Sequence, residues 1–419
     1  MRIRVMWSAL IVGISVLGMP PVAGAQQPDP AAIRSEIEQL RRELAEIQKS
    51  YGERLAALEA EVTALTAAVA TQGTQPPPAP PPVTQPSLAS GSKVFNPDIA
   101  VIGNVVATGG SNAVEPSPAL ELREAELAFR AAVDPYARAD FFVSLRPDRA
   151  SVEEGFVTLP TLPGGLLLKI GQMREAFGKI NGLHPHVLPW PDLPLVMRNL
   201  LGGEEGLADA GVSVARLIPN PWFFFEATGQ VFRGTASDVF QGSQASDLSY
   251  VARLRGYGDL NESTNVDLGT SWSLGHNSSG IVDATDIGRF TTQFFGVDAT
   301  VRYKPLRRAI YRSFIGRAEL VWSRRRQPGG VQPAFGYFVS GDYQFARRWF
   351  AGLRYDRSDR ADVSSVVDTG GALVLTFMPT EFSQFRGMYR RTRYARTTTA
   401  NEFLFQVQFA IGAHGAHPF

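Results

Sequence analysis

The 419-residue chain has no cysteine, which excludes disulfide staples, thiol catalysis and thiolate metal centres. Beyond its first two dozen positions it also lacks an unbroken apolar run of about 18 residues, the length a spanning helix needs. Lysine is scarce. Of 41 basic residues only Lys49, Lys93, Lys169, Lys179 and Lys304 are lysines, and the rest are arginines. The planar guanidinium favours ion pairing and bidentate anion contacts in narrow spaces over general solubility. No excess of one charge sign exists either. The formal net charge of +1 becomes −1 once Arg2 and Arg4 are set aside (1 − 2), so no global basic field points to nucleic acid. No local Ser-His signature suggests hydrolytic chemistry, and nothing in the sequence asks for a cofactor, so an enzyme is not expected.

What is present falls into four segments. Residues 1–25 read as an export signal: Arg2 and Arg4, an apolar stretch from Val5 to Leu17, then Ala23-Gly24-Ala25. In 26–73, Ile33, Ile37, Leu40, Leu44, Ile47 and Tyr51 step by four and three and resume as Leu55, Leu58, Val62, Leu65 and Val69. That is a coiled-coil seam with one stutter near Gly52, and it predicts self-association, a trimer being the preferred form. Residues 74–93, with Pro76-Pro77-Pro78 and Pro80-Pro81-Pro82, read as an extended spacer.

From 94 to 419 the sequence alternates. Phe335, Tyr337, Val339, Gly341, Tyr343 and Phe345 hold one parity, with Ser340, Asp342 and Gln344 between them. Phe295, Val297, Ala299, Val301 and Tyr303, and later Phe403, Phe405, Val407, Phe409 and Ile411, repeat the scheme. Alternation of this length, behind an export signal, predicts an all-β protein: a closed antiparallel transmembrane barrel showing one face to lipid and one to water. Sixteen strands are expected, at 99–107, 121–133, 136–146, 152–159, 165–175, 207–217, 221–233, 247–258, 262–274, 290–304, 311–325, 334–346, 348–358, 365–378, 381–393 and 400–412. The Ala and Glu content of 121–133 also suits a helix, but Ala125, Leu127, Phe129, Ala131 and Val133 favour a strand. Phe223, Tyr303, Phe345, Trp349, Phe377 and Phe382 fall near turns, where an interfacial aromatic girdle belongs. Tight turns alternate with longer loops, and an even strand count places both barrel termini, the coiled coil and the closing aromatic Phe419 on the periplasmic side of an outer membrane.

Candidate functional residues follow from parity. Arg130, Arg138, Lys169, Arg253, Arg255, Arg302, Arg317, Arg354, Arg386 and Arg390 are expected to line the lumen, where a ladder of cations would pass an anion between successive contacts. Glu124, Glu126, Asp140, Glu226, Asp267, Asp298, Glu319, Asp342 and Asp356 share that face, so pairing across strands is an equal expectation. The long loop 176–206 is too apolar to project into water. It carries Leu193, Leu195, Val196, Leu200 and Leu201 beside the polar Lys179, His184, His186 and Arg198. Folding into the barrel would make it a constriction; a plug or an outer cap are the alternatives. His184-Pro185-His186 has no obvious carboxylate partners and reads as a solvated pair rather than a metal site. Arg324-Arg325-Arg326, Arg391 and Arg393 lie near outer strand ends, where lipopolysaccharide phosphates are possible partners.

The string Lys169-Ile170-Gly171-Gln172-Met173-Arg174-Glu175-Ala176-Phe177-Gly178, followed by Met197-Arg198-Asn199 and Ala210-Gly211-Val212, resembles the phosphate-selective porin O/P family of Gram-negative outer membranes. Asn96-Pro97-Asp98 and the closing Phe are similar too. The resemblance implies a sixteen-stranded, trimeric, anion-favouring channel with an inward third loop. The loop lacks the lysine cluster that strong phosphate selectivity would need, so the reading is a general porin for small hydrophilic solutes, with a tethered structural or adhesive barrel as the alternative.

Overall fold

The computed structural model describes residues 97–412 except 283, 284, 287, 288 and 364. The expected signal segment, coiled coil, spacer and terminal Phe419 lie outside the described residues.

Sixteen antiparallel strands close into one barrel. The first eight are β1 (Asp98–Ser111), β2 (Leu120–Asp134), β3 (Ala137–Leu145), β4 (Ala150–Leu162), β5 (Leu166–Arg174), β6 (Ala208–Leu217), β7 (Phe224–Phe232) and β8 (Ser249–Asn261). The second eight are β9 (Thr264–His276), β10 (Thr291–Tyr303), β11 (Ser313–Gln327), β12 (Gly330–Ala346), β13 (Trp349–Asp359), β14 (Val367–Thr380), β15 (Ser383–Tyr394) and β16 (Thr398–Gly412). Each pairs with its sequence neighbours, and β1 closes the ring on β16 from Ala100 opposite Gly412 to Ser111 opposite Asn401. Closure leaves no open edge, so strand N–H and C=O groups are satisfied without water. Each expected strand has its counterpart. In β2 the burial of Glu124 and Glu126, beside outward Leu127 and Phe129, settles the ambiguous segment as strand.

The outer face is apolar. In β16, Phe403, Phe405 and Phe409 are exposed while Leu404, Gln406 and Gln408 between them are buried. A surface of this kind is stable against lipid rather than water. Two aromatic belts bound it. Phe345, Trp349, Phe377, Phe385 and Phe405 form one, in which the Trp349 and Phe377 rings stack at 4.6 Å. At the opposite end, Phe295, Trp322, Phe335 and Tyr337 form the other, with Trp322 and Phe335 at 5.1 Å. The longer connections, 112–119, 175–207, 233–248, 277–290 and 360–366, share the second end. The turns at 135–136, 163–165, 262–263, 347–348 and 381–382 share the first, together with both ends of the barrel. The connection 304–312 is a longer exception on that side, and 328–329 a tight one on the other.

Candidate functional site

The segment between β5 and β6 turns into the barrel because its stem forces it there. In β5 Gly171 has φ +140, and a Cβ on it would stand 2.3 Å from the Gly155 carbonyl oxygen, so only glycine lets β5 lie this close to β4. Arg174 then donates to Glu153 at 3.0 Å and its backbone N–H to Glu154 at 2.8 Å. Phe177 is fully buried, edge-on to Phe294 of β10 at 5.9 Å. At Gly178 the backbone enters the left-handed region, φ +61, and the following N–H groups of Lys179 and Ile180 donate to Glu319 Oε2 on β11 at 3.2 and 3.1 Å. The Asn181 amide joins the two stems by donating to the carbonyls of Glu175 and Leu207 at 2.8 and 2.9 Å. The motif from Lys169 to Gly178 is therefore the hinge that throws the loop inward.

Further along, the loop fastens to the far wall. The Leu188 carbonyl accepts from Arg386 at 2.9 Å, and that of Pro191 accepts from Arg123. Asp192 bridges Arg354 and Arg390, each at 2.9 Å. Burial alone would raise its pKa, but the two guanidinium groups hold it below the usual carboxylate value. A short helix, α1 (Leu195–Leu200), follows Pro194; Asn199 donates to Asp368 at 3.0 Å and Arg198 pairs with Glu115. Beneath these polar contacts Phe177, Leu188, Trp190, Val196, Met197 and Leu200 pack with Phe294, Val321, Phe338, Val374, Met388 and Leu404 of the inner wall in one buried cluster. The apolar loop thus meets an apolar patch on β10–β16, which the alternation alone did not advertise.

All ten cations expected in the lumen point inward, but most are neutralised. Arg130 and Arg138 share Asp140 at 3.6 and 2.9 Å. Arg253 pairs with Asp298 at 2.8 Å through space left by Gly269, whose Cβ would meet that carboxylate at 2.3 Å. Arg255 pairs with Asp267 and Arg317 with Asp342, at 2.8 and 2.5 Å. Arg354 also pairs with Asp356 at 2.7 Å, and Arg390 with Glu402 at 2.8 Å. The fully buried Arg386 is held by the neutral acceptors Thr376, Gln406 and the Leu188 carbonyl. Among the described residues Arg302 and Lys169 make no ion pair; the Lys169 ammonium lies 4.7 Å from the Phe156 ring centroid. The expected ladder of open guanidinium groups is instead a set of ion pairs within strands, across strands and to the loop, with Lys179 of the loop joined to Asp267 at 2.7 Å.

His184 and His186 correct the sequence reading. They are not solvated but 8% and 5% exposed, facing carboxylates that parity did not bring together. Glu126 Oε2 lies 2.8 Å from Nδ1 of His184 and 3.3 Å from Nδ1 of His186. Glu153 Oε2 lies 3.1 Å from the same nitrogen of His184, and Glu154 Oε2 2.7 Å from its Nε2. Strict alternation would send Glu153 and Glu154 to opposite faces. A β-bulge in β4 intervenes: Phe142 pairs with Glu154 and Val143 with Val152, leaving Glu153 as the extra residue, so both side chains face the lumen. A second bulge, at Arg123 of β2, similarly frees that side chain to reach Pro191. Burial opposes the charge of His184, but its carboxylate partners prevail and raise its pKa well above the usual histidine value.

Between the loop and the wall of β1–β7 remains a cavity of about 640 Å³. Toward the tight-turn end its wall carries Arg130, Arg138 and Lys169 against Asp140 and Glu226; deeper in it meets His184 and Glu154. The lumen therefore has one side filled by apolar packing and another that keeps a cavity with charged side chains on its wall.

No family model matches the chain, so the resemblance to the phosphate-selective porins rests on the quoted motifs. Among solved structures, the barrel is similar to OprB of Pseudomonas putida (TM-score 0.54, 12% identity, covering 76% of this chain and 94% of that one). It is also similar to an anion-selective porin of Comamonas acidovorans (0.52, 12%, covering 75% and 99%). A loop-deletion mutant of OmpT, an outer membrane protein of Vibrio cholerae, gives 0.52 and 12%, covering 76% and 100%. These likenesses establish the fold. In sequence the chain is 30% identical over 336 residues to a protein of Aquifex aeolicus described as uncharacterized, a match covering 71% of this chain and 70% of that one. The chain thus belongs to the family of that Aquifex protein and has the sixteen-stranded barrel fold of the outer-membrane porins.

Proposed function

We propose that the chain is an outer-membrane porin that passes small hydrophilic solutes by diffusion through the charged side of its lumen, with loop 175–207 as the constriction. The observation that carries this reading is the cavity of about 640 Å³, with charged side chains on its wall, left between the loop and β1–β7, while the apolar loop surface is buried on the opposite wall. Water and ions need a lined path of this kind. Phosphate specificity finds little support in the side chains, because Lys179 and Arg198 of the loop are both occupied by carboxylates. A weak anion preference is the finer reading, and it rests on the tight-turn end of the cavity alone, where Arg130, Arg138 and Lys169 outnumber Asp140 and Glu226 by one charge (3 − 2); deeper in, Arg174 faces Glu126, Glu154 and Glu175. Assembly as a homotrimer through the 26–73 seam belongs to the same reading, with chemical cross-linking as its check. Lipopolysaccharide phosphates are the proposed partners of Arg324, Arg391 and Arg393, which are exposed toward the long-loop end.

The test of selectivity is the zero-current potential in a KCl gradient across planar bilayers. The unaltered channel is expected to favour chloride modestly, and Arg138→Glu with Lys169→Glu to shift the potential to the cation side. An unchanged potential would remove these residues from the path. The tethered-barrel reading draws on the same apolar cluster, which would serve equally as a plug; a barrel that never conducts would favour it.

A further inference from the structure

We propose that His184, His186 and Glu126 form a lumenal binding site for a divalent transition cation of the Zn²⁺ class, with Glu153 as a fourth donor and Glu154 as the group that orients His184. The first argument is spacing. Zinc holds imidazole nitrogen and carboxylate oxygen at about 2.0–2.2 Å in a tetrahedron, so donors around one ion stand about 3.3–3.6 Å from each other, and the contacts within this cluster come within about 0.5 Å of that. Here Glu126 Oε2 stands 2.8 Å from His184 Nδ1 and 3.3 Å from His186 Nδ1, Glu153 Oε2 stands 3.1 Å from His184 Nδ1, and the Glu126 and histidine donors all lie within 4.8 Å of one another.

The second argument concerns tautomer and direction. Glu154 accepts at 2.7 Å from Nε2 of His184, so loss of one proton from the ring puts the lone pair on Nδ1, the arrangement by which carboxylates orient metal-bound imidazoles. Although Nδ1 lies close to both Glu126 and Glu153, neither contact has hydrogen-bond geometry. Charge is the third argument: four carboxylates, Glu124 and Glu126 of β2 with Glu153 and Glu154 of β4, converge where Arg174 is the neighbouring guanidinium. A dication would offset negative charge at this cluster, and mixed nitrogen and oxygen donors select Zn²⁺ or its first-row neighbours over Ca²⁺ and Mg²⁺. Binding does not depend on conduction, so this proposal and the porin reading fail separately.

A proton on His184 Nδ1 is the competitor, facing the same four carboxylates, Arg174 and His186. Calorimetric titration of tag-free, chelator-treated full-length protein in detergent separates the two. The expected result is one Zn²⁺ per chain, weaker at pH 6 than at pH 8, with Ca²⁺ failing to compete. Substitution E126Q should abolish uptake, and E154Q should weaken it about 10- to 100-fold, as loss of an orienting carboxylate does. Heat-modifiable gel migration reports whether each variant keeps its barrel. Absorption by bound Co²⁺ in the unaltered protein adds a readout that needs no variant. Absence of Zn²⁺ uptake by the unaltered protein, uptake indifferent to E126Q in a folded barrel, or equal binding of Ca²⁺ would overturn the proposal.

Discussion

Replacing Asp192 by alanine is expected to release the loop from the barrel wall. Its carboxylate lies between Arg354 and Arg390, whose side chains are 3% and 8% exposed. Removing one member of a buried charge network strands the others, at a cost of about 3–5 kcal/mol. The lower end applies here, because Asp356 and Glu402 still hold one arginine each. The barrel itself keeps its strand pairing, so the loss should fall on the loop. Single-channel current should rise and become noisy, and protease should cut within 188–201, where the unaltered protein resists. Asp192→Asn should do nearly as much damage, since it keeps the shape but not the charge.

Trp190→Ala should act on the same contact from its apolar side. The indole is fully buried, edge-on to Phe338 at 5.4 Å and with the Arg354 guanidinium 4.7 Å from its ring. Truncating a buried aromatic of this size costs about 3–5 kcal/mol. A cation–π contact beside the ion pair is lost as well, which couples the two sites. The double variant with Asp192→Ala should therefore be less damaging than the sum of the singles. Both effects can be read from thermal melting followed by the loop's protease sensitivity. Full additivity would mean that Trp190 and Asp192 fasten the loop independently.

The sequence already contained most of the barrel, and the reason is physical. In a closed membrane barrel every strand has one lipid face, so the period of two is enforced along nearly the whole chain. That is why strand positions, the girdle residues and the lumenal parity of Arg253 or Arg390 could be read without coordinates. What could not be read was set by departures from that period. The bulge at Glu153 turns two adjacent carboxylates inward, and the bulge at Arg123 carries an otherwise lipid-facing position to Pro191. Partner choice was equally hidden. Arg354 meets Asp192 across 162 positions of chain, a contact fixed by the loop's route and not by any local pattern. One signal was available: inward Phe294, Phe338 and Met388 break the polar side of the alternation, marking the wall on which the apolar loop would settle.

The central claim is that solute passes along the β1–β7 wall, beside Lys169. Because the chain has no cysteine, a single introduced thiol reports on one place only. The decisive measurement is the current through a planar bilayer containing the Lys169→Cys barrel, before and after a bulky cationic thiol reagent enters the aqueous phase. The account predicts discrete open steps that shrink on modification, while Ile170→Cys, on the lipid face, leaves the current unchanged. A barrel that inserts but stays silent, or an open channel whose current is indifferent to modification confirmed at Lys169→Cys, would contradict it.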